Sequence, residues 1–208
     1  MTNEASGAAE RMLLKRAYEA PAANDGVRVL VDRLWPRGVS KTASNLDAWM
    51  RELGPSDALR TQFGHQPEHW EAFVADYRGE LLTPMRQTLL AMLQGVASQT
   101  TITLVYGARD TQENEAVVLR QYLLRELAQP PTGWDAATKL LVAMAVAAAA
   151  QQDAVAASAS VARFAAPLLT RDEVAIARST LLADGLLQPV AGGWELTARG
   201  RKHLRALQ

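Results

Sequence analysis

Short apolar runs alternate with longer amphipathic segments along the first 128 residues of the chain. The strand-like runs lie at residues 13–18, 28–31 and 100–106, and the helix-like segments lie at 44–52, 67–82, 84–97 and 113–127. Strands that are separated by helices are typical of a parallel sheet with crossover helices. The pattern therefore predicts an α/β domain at residues 11–128, preceded by a disordered tail at residues 1–10.

The alternation stops at residues 129–134, where two prolines and a glycine can continue neither a helix nor a central strand. We interpret this stretch as a linker to a second domain at residues 135–208. In that domain the pattern predicts an alanine-rich helix at 135–151 and a second helix at 154–166. A third helix is expected to begin at Thr170, with Glu173 as its capping-box partner.

A hairpin and a closing helix are expected after the third helix. Two short strand candidates flank Gly192 and Gly193, which is a recognised hairpin signal, and a last helix starts at Ala198. This segment resembles the winged helix-turn-helix modules of bacterial transcription regulators, most closely at residues 185–187 and 194–200. The predicted fold class is α/β, a parallel-type sheet with flanking helices, followed by a small winged-helix-like α+β domain.

The composition indicates where the protein is located in the cell, but it does not indicate which reaction or ligand it has. With no cysteine among 208 residues, the chain has no disulfide and no thiolate metal site, which agrees with a reducing cytoplasm. The longest apolar run, residues 140–150, is too short to span a bilayer, and residues 1–10 lack the features of a signal peptide. We therefore expect a cytoplasmic protein without membrane contact. Its formal net charge of zero indicates no class of partner.

The polar loop at residues 32–38 is the first candidate for a binding site. It directly follows the strand-like run at 28–31 and contains Arg33, Trp35 and Arg37. Guanidinium groups bind carboxylate or phosphate through two parallel hydrogen bonds, and an aromatic ring can stack on a base. Because ligands in open α/β sheets bind where strands end in loops, this loop predicts a pocket for a small anionic ligand.

A second polar loop leaves the strand at residues 100–106. Its ligand-binding candidates are Tyr106, Arg109 and Asn114, and its candidate acid or base is Asp110. If the two strands are parallel, both loops lie at the same edge of the sheet and their arginines converge.

The same residues also have a structural interpretation. Asp32 and Asp110 could neutralise the arginines in a buried ion network, and Trp35 could simply pack, because any buried charge needs a partner. The two interpretations differ in whether ion pairs form between these arginines and their neighbouring aspartates.

Two histidines lie near the predicted start of the helix at 67–82. His65 is a candidate catalytic acid or base because its unperturbed pKa is near neutrality, and it could equally cap or brace the helix. His65 and His69 have a spacing that binds metal on a helix, but Pro67 between them is typical of a first helical turn. We therefore predict no metal site and no cofactor.

These motifs together resemble the YeaO-like family of small bacterial proteins, whose biochemical activity is uncharacterised. The matching positions are 15–18, 25–26, 32–38, 46–49, Phe63, His65, Pro67, Trp70, Tyr77, 80–81, 106–110 and Asn114. The resemblance spans residues 13–127 and supports the predicted α/β fold. Because members of the family commonly end near Leu127, the winged-helix-like segment departs from the family pattern.

The winged-helix-like segment contains the candidates for nucleic-acid binding, which are Arg171, Arg178, Arg199, Arg201 and Lys202. Past residue 130 there are eight Lys and Arg against six Asp and Glu, whereas DNA-binding domains usually have a stronger basic surface. The segment could therefore contact duplex DNA, or it could serve in protein contact and homodimerisation.

The sequence leaves three functional hypotheses open. The first is a ligand-responsive, DNA-associated regulator whose α/β domain senses a small anionic molecule. The second is an enzyme, a hydrolase or transferase acting on a nucleotide-like substrate, with His65 or Asp110 as acid or base and the arginines binding its charge. The third is a non-catalytic interaction scaffold.

Overall fold

The computed structural model describes residues 10–150, 158–191 and 193–207. Residues 1–9 of the expected tail and residues 154–157 of the expected second C-terminal helix lie outside these ranges. The described strands are β1 Met12–Arg16, β2 Val27–Leu30, β3 Ala48–Trp49, β4 Ile102–Tyr106, β5 Leu187–Val190 and β6 Gly193–Leu196. The described helices are α1 Lys41–Ser44, α2 Asp57–Phe63, α3 Trp70–Glu80, α4 Pro84–Gln99, α5 Glu115–Arg125, α6 Ala136–Ala150, α7 Ser158–Ala165, α8 Arg171–Ala183 and α9 Ala198–Arg205. None of these helices is both long and apolar enough to cross a membrane.

The first four strands form a parallel sheet in the order β1-β4-β2-β3, which confirms the predicted α/β architecture. β4 lies between β1 and β2, so that Leu104 is opposite both Leu14 and Val29. Every residue of β2 and β4 is buried, as expected for the inner strands of a parallel sheet that is covered on both faces. Because these strands are parallel neighbours, the loops that follow them emerge side by side.

The segment 44–52, which the pattern predicts to be helical, contains the edge strand β3 instead. The main-chain N–H of Met50 donates to the carbonyl of Leu30 at 2.9 Å, which extends the pairing of β3 with β2. Ala48 and Met50 are completely buried, so alternate residues face the core with the period of a strand. A strand of two residues is too short for that period to be visible in the sequence.

The two faces of the sheet are covered differently. On one face, Val29 and Leu104 belong to the large apolar core that also includes residues of α3, α4 and α5. On the other face, Leu30 and Val105 join a smaller apolar cluster with Ala150, the last residue of α6.

A buried charge cluster stabilises the second face near the start of β2. Asp25 accepts a hydrogen bond from Lys15 Nζ at 2.9 Å and is also paired with Arg28. Burial alone would raise the pKa of Asp25, but hydrogen bonds from the Ala22 N–H and from Lys15 hold it below its usual value. Lys15 and Asp25, which are part of the family resemblance, therefore support the fold.

The C-terminal helices pack directly on the α/β part of the chain. Met144 of α6 and Phe164 of α7 belong to the same apolar core as Leu93 of α4. Gly95 of α4 allows a close approach, since an added Cβ there would lie 2.2 Å from the Cβ of Pro167. Beyond α8, strands β5 and β6 form an antiparallel hairpin that is followed by α9. The parts before and after residues 129–134 thus share one core.

Candidate functional site

The loops after β2 and β4 meet at the carboxyl edge of the sheet. We call them the β2 loop, residues 32–38, and the β4 loop, residues 107–114. The main-chain N–H of Gly107 donates to Oδ2 of Asp32 at 2.9 Å. A side chain at position 107 would disturb this bond, because an added Cβ would lie 2.7 Å from the same oxygen. Asp32 therefore ties the two loops together.

A cleft of about 370 Å³ opens where the two loops meet. The predicted residues Arg33, Trp35, Arg37 and His65 line it, together with Arg60 from α2. Its volume lies within the range of small-molecule sites. Three guanidinium groups around one cleft favour an anionic ligand.

The ion network between the loop arginines and their neighbouring aspartates is not formed. In the described part of the chain, no carboxylate lies within ion-pair distance of Arg33, Arg37 or Arg109. Arg60 does pair with Asp57, at 3.0 Å on the exposed side of α2. The guanidinium groups of Arg33 and Arg37 therefore have no carboxylate partner that would compete with a ligand.

Asn114 and Asp110, both predicted as site residues, shape the β4 loop. Asn114 Oδ1 accepts from the N–H of Val117 at 3.1 Å and its Nδ2 donates to the carbonyl of Asp110 at 2.9 Å, so Asn114 caps α5. The Asp110 carboxylate accepts from the N–H groups of Glu113 at 3.0 Å and Gln112 at 2.7 Å. These bonds keep the pKa of Asp110 below its usual value. Neither residue lines the cleft.

Tyr106 and Arg109 also lie outside the lining of the cleft. Tyr106 belongs to the apolar core, where burial raises the pKa of its hydroxyl. The Arg109 side chain is exposed. The β4 loop contributes Gly107 and Ala108 to the cleft instead, and the structure brings together only part of the predicted site.

Trp35 forms a fixed wall of the cleft. Its Nε1 donates to the carbonyl of Val39 at 2.8 Å, and its ring meets that of Trp49 edge to face with centroids 5.3 Å apart. The Nζ of Lys41 lies 5.3 Å from the centroid of the Trp35 ring, which is cation–π geometry. Trp49 in turn donates to the main-chain carbonyl of Asp32 at 2.8 Å.

His65 reaches the cleft through a left-handed backbone conformation. Its φ is 55°, directly after Gly64 at 54°. For a residue other than glycine such a conformation costs about 1 kcal/mol or more, and it is enriched at functional sites. The imidazole contacts Phe63 edge to face at 5.4 Å, whereas His69 Nδ1 lies 3.3 Å from the Phe63 carbonyl. No group of three metal-ligating side chains occurs among the described residues.

Sequence reasoning missed the most unusual feature of the cleft, which is the pairing of the carboxyls of Asp32 and Glu115. Glu115 is the first residue of α5 and lines the cleft. Asp32 Oδ1 is buried and receives no hydrogen bond from any donor in the described chain. Both carboxyls line the cleft, and a side-chain hydrogen bond with Glu115 is among the causes that raise the pKa of Asp32. Such a bond between two carboxyls requires one shared proton.

The physical environment of this pair favours a neutral Asp32. Burial and the neighbouring Glu115 raise the pKa of Asp32 to about 9, while the Gly107 N–H and the charge of Arg60 oppose the shift. At neutral pH Asp32 therefore keeps its proton in the folded protein. No local sequence signal reveals this pairing, since the two residues are far apart in the chain and meet only in the fold.

An aromatic wall that the sequence did not predict completes the cleft. Phe63 and Phe73 line the cleft while their rings stack with centroids 4.5 Å apart. Tyr18 is the exposed aromatic residue of the lining, with 53% of its surface accessible. The guanidinium carbon of Arg16 lies 5.4 Å from the centroid of the Tyr18 ring.

The candidate nucleic-acid residues lie on two C-terminal helices. They are Arg171 and Arg178 on α8 and Arg199, Arg201 and Lys202 on α9. The guanidinium carbon of Arg178 is 5.5 Å from the centroid of the Trp194 ring on β6. Arg201 donates to the carbonyl of Leu196 and lies 3.8 Å from the carboxylate of Glu195. These contacts hold Arg178 and Arg201 against the hairpin.

Comparison with known proteins assigns the first part of the chain to a family. A model of the family DUF488-N3i, described as the inactive DUF488-N3 subclade, matches residues 11–139. The uncharacterized protein YeaO of Escherichia coli (strain K12) is 38% identical over 109 residues, which are 52% of this chain and 93% of that protein. The uncharacterized proteins Rv3073c of Mycobacterium tuberculosis and Mb3100c of Mycobacterium bovis are each 35% identical over 113 residues, again covering 93% of the relative. No solved structure gives a significant match. The matched region contains the four-stranded sheet and the whole cleft, whereas the hairpin and α7 to α9 lie beyond it.

Proposed function

The chain belongs to the DUF488-N3i family, and from this premise we propose that its cleft binds a small anionic, nucleotide-like molecule. The observation that carries the proposal is the set of Arg33, Arg37 and Arg60 around one cleft, two of them without a carboxylate partner in the described chain. Such groups bind phosphate through paired, charge-assisted hydrogen bonds. The description of the family as inactive supports a binding role over a catalytic one.

Titration with ribose 5-phosphate and inorganic pyrophosphate tests this function. Arg37→Ala should weaken binding about tenfold or more, because a hydrogen bond to a charged group contributes about 1.5–3 kcal/mol. Arg109→Ala is the matched control, since it removes the same charge from the same edge of the sheet but outside the cleft. We expect it to change the dissociation constant less than about twofold at a fixed ionic strength. Equal losses in the two variants would contradict the proposed site.

The carboxyl pair supports an enzyme as the second candidate function. A buried carboxyl that keeps its proton at neutral pH can act as a general acid, and His65 lines the same cleft. The hydrolase or transferase hypothesis then shifts from Asp110 to Asp32 and Glu115 as proton carriers. Incubating the protein with nucleoside mono-, di- and triphosphates and separating the products by chromatography tests this role. Nucleotides that bind and are recovered unchanged would favour the non-catalytic function.

We further propose that residues 135–208 form a winged-helix-like module that contacts duplex DNA. The order of helices, hairpin and closing helix supports this proposal, and Arg171, Arg199 and Lys202 have exposed side chains. Arg201 is the weaker candidate because its guanidinium is held by a main-chain carbonyl. Lys202→Ala should reduce the slope of log affinity against log salt by about one. Absent or salt-independent binding would favour a protein contact or homodimer, which sedimentation measures directly.

A chain of contacts between the cleft and α6 supports a ligand-responsive regulator. Lys41 Nζ lies over the Trp35 ring and also donates to the carbonyl of Ala149 at 3.4 Å, near the end of α6. A ligand that moves Trp35 would therefore act on the helix that joins the two parts of the chain. DNA affinity measured with and without ribose 5-phosphate tests this coupling, and identical affinities would contradict it. The cytoplasmic location and the homodimer stay predictions of the sequence.

A further inference from the structure

We propose that the carboxylate of Glu115, oriented by Asp32, binds the Watson–Crick edge of a guanine base, so that the ligand of the cleft is a guanine nucleotide. This inference rests on the proposed function, because it places the phosphate of the same ligand against Arg33 and Arg37. It adds a recognition element for the base that the arginines cannot supply.

The carboxyl pair has hydrogen-bonding sites that the described chain leaves unfilled. Asp32 Oδ2 is occupied by the N–H of Gly107. Its Oδ1 is buried, has no donor among the described residues and lies next to Glu115, so Asp32 is placed to give its proton to Glu115. Glu115 itself forms no ion pair within the described ranges. A partly buried carboxylate with one donor still has acceptor sites to fill.

The chemistry of those acceptor sites selects the base. A carboxylate with two oxygens is complementary to two adjacent N–H donors, which guanine presents at N1 and at its 2-amino group. Adenine presents one acceptor and one donor on the same edge, and hypoxanthine lacks the 2-amino donor. A guanine edge therefore satisfies Glu115 in a way that the other purines do not.

The rest of the cleft matches the rest of a nucleotide. Tyr18 offers an exposed ring on which a base can stack, backed by the guanidinium of Arg16. Arg37 is exposed and Arg33 is half-buried, so the cationic groups lie nearer the solvent than the Asp32 carboxyl. This gradient directs the Watson–Crick edge of the base toward Asp32 and Glu115 and leaves the phosphate at the rim.

Equilibrium titrations of the full chain with GMP, IMP and ribose 5-phosphate test the inference. We expect GMP to bind about tenfold more tightly than IMP, since a bidentate contact to a base contributes about 1–3 kcal/mol of discrimination. In Glu115→Gln, which keeps the size of the side chain but not its second acceptor, this preference should fall to within about twofold. Affinity for ribose 5-phosphate should not fall in the same variant, because the change removes a negative charge from the cleft and leaves Arg33 and Arg37 in place.

Two further variants separate recognition from structural damage. Glu113→Ala removes a neighbouring carboxylate that does not line the cleft, and it should keep the full preference for GMP. Asp32→Asn keeps a donor toward Glu115, and it should also retain the GMP preference even if overall affinity falls. A purely structural role of Asp32 would lower binding of GMP and IMP equally in every variant at these positions.

The outcomes distinguish this inference from the proposed function. Equal binding of GMP and IMP, or a GMP preference that survives in Glu115→Gln, would overturn the role of Glu115. Binding of ribose 5-phosphate as tight as that of GMP would overturn base recognition and leave the anion site standing. If none of the three compounds binds, both proposals are wrong.

Discussion

Asp32 is held in an environment that stabilises its neutral form. The usual pKa of the group is 3.8, and burial next to Glu115 raises it to about 9 in the folded protein. The native state therefore keeps a proton that the unfolded chain releases. Because the folded pKa is the higher one, the contribution of Asp32 to stability is full below about pH 4 and is lost as the pH rises toward about 9.

Replacing Asp32 with asparagine should remove this pH dependence. Asparagine resembles the protonated acid, since one side-chain atom can still accept from Gly107 and the other can donate to Glu115. Relative to wild type, Asp32→Asn should gain about 2–4 kcal/mol in free energy of unfolding between about pH 5 and pH 8. Urea unfolding at a series of pH values measures the difference.

Asp110→Asn is the comparison, because the pKa of Asp110 is shifted in the opposite direction from that of Asp32. Hydrogen bonds from Glu113 and Gln112 lower the pKa of this exposed carboxyl, so its small contribution is present above its usual pKa and is lost only in acid. If the curves of wild type and Asp32→Asn run parallel between about pH 5 and pH 8, Asp32 is ionised in the native state and the shared proton does not exist.

The sequence could predict those cleft residues that lie directly after a recognisable strand. Arg33, Trp35 and Arg37 follow a strand directly, and a parallel sheet is enough to bring their loop to the carboxyl edge. Glu115 had no such signal, because its importance depends on a carboxyl in another loop. Asn114 had the residue type of a ligand-binding group, but the same amide is also a good helix cap.

The α5 helix owes its position at the cleft to the Asn114 cap. Asn114 is 1% exposed, caps the first turn through Val117 and binds the Asp110 carbonyl, and it directly precedes Glu115. Loss of an N-cap side chain typically costs about 1 kcal/mol, and a buried amide with two bonds lies at the upper end of the range.

Asn114→Ala should therefore lower the free energy of unfolding by about 1–2 kcal/mol, measured by urea unfolding at neutral pH. Glu113→Ala, one residue earlier and without a side-chain cap, should stay within about 0.5 kcal/mol of wild type. A loss in Asn114→Ala no larger than in Glu113→Ala would show that the cap contributes little to α5.

The start of a helix could be predicted from the sequence where a strong capping motif marks it. The capping box of α8 is confirmed, with the N–H of Glu173 donating to Thr170 Oγ1 at 3.3 Å and the N–H of Thr170 donating to Glu173 Oε2 at 2.7 Å. The edge strand Ala48–Trp49 was missed because its pairing, and not its own periodicity, defines it. The short helix Asp57–Phe63 was also missed, although Ser56 caps it.

In the whole molecule, the C-terminal helices are joined to the α/β part by packing as well as by the chain. The apolar core runs from α4 into α6 and α7, although the family model ends at residue 139. In relatives that match only the first part of the chain, the surface of α4 that these helices bury must be covered in another way or be absent. The contact at Gly95 therefore reports whether the C-terminal part stays docked.

Gly95→Ala should loosen this docking. Its new Cβ would lie 2.2 Å from Cβ and 2.5 Å from Cγ of Pro167, which is too close for either part to stay in place. We expect a loss of about 1–3 kcal/mol and faster proteolysis at residues 129–134. The matched control is Gly79→Ala in α3. Apart from the adjoining helical backbone, no atom of the described residues lies within 4 Å of the added Cβ, so helix propensity should raise stability by about 0.5–1 kcal/mol. Thermal unfolding and limited proteolysis of both variants measure the difference, and equal behaviour would show that the C-terminal helices do not depend on this contact.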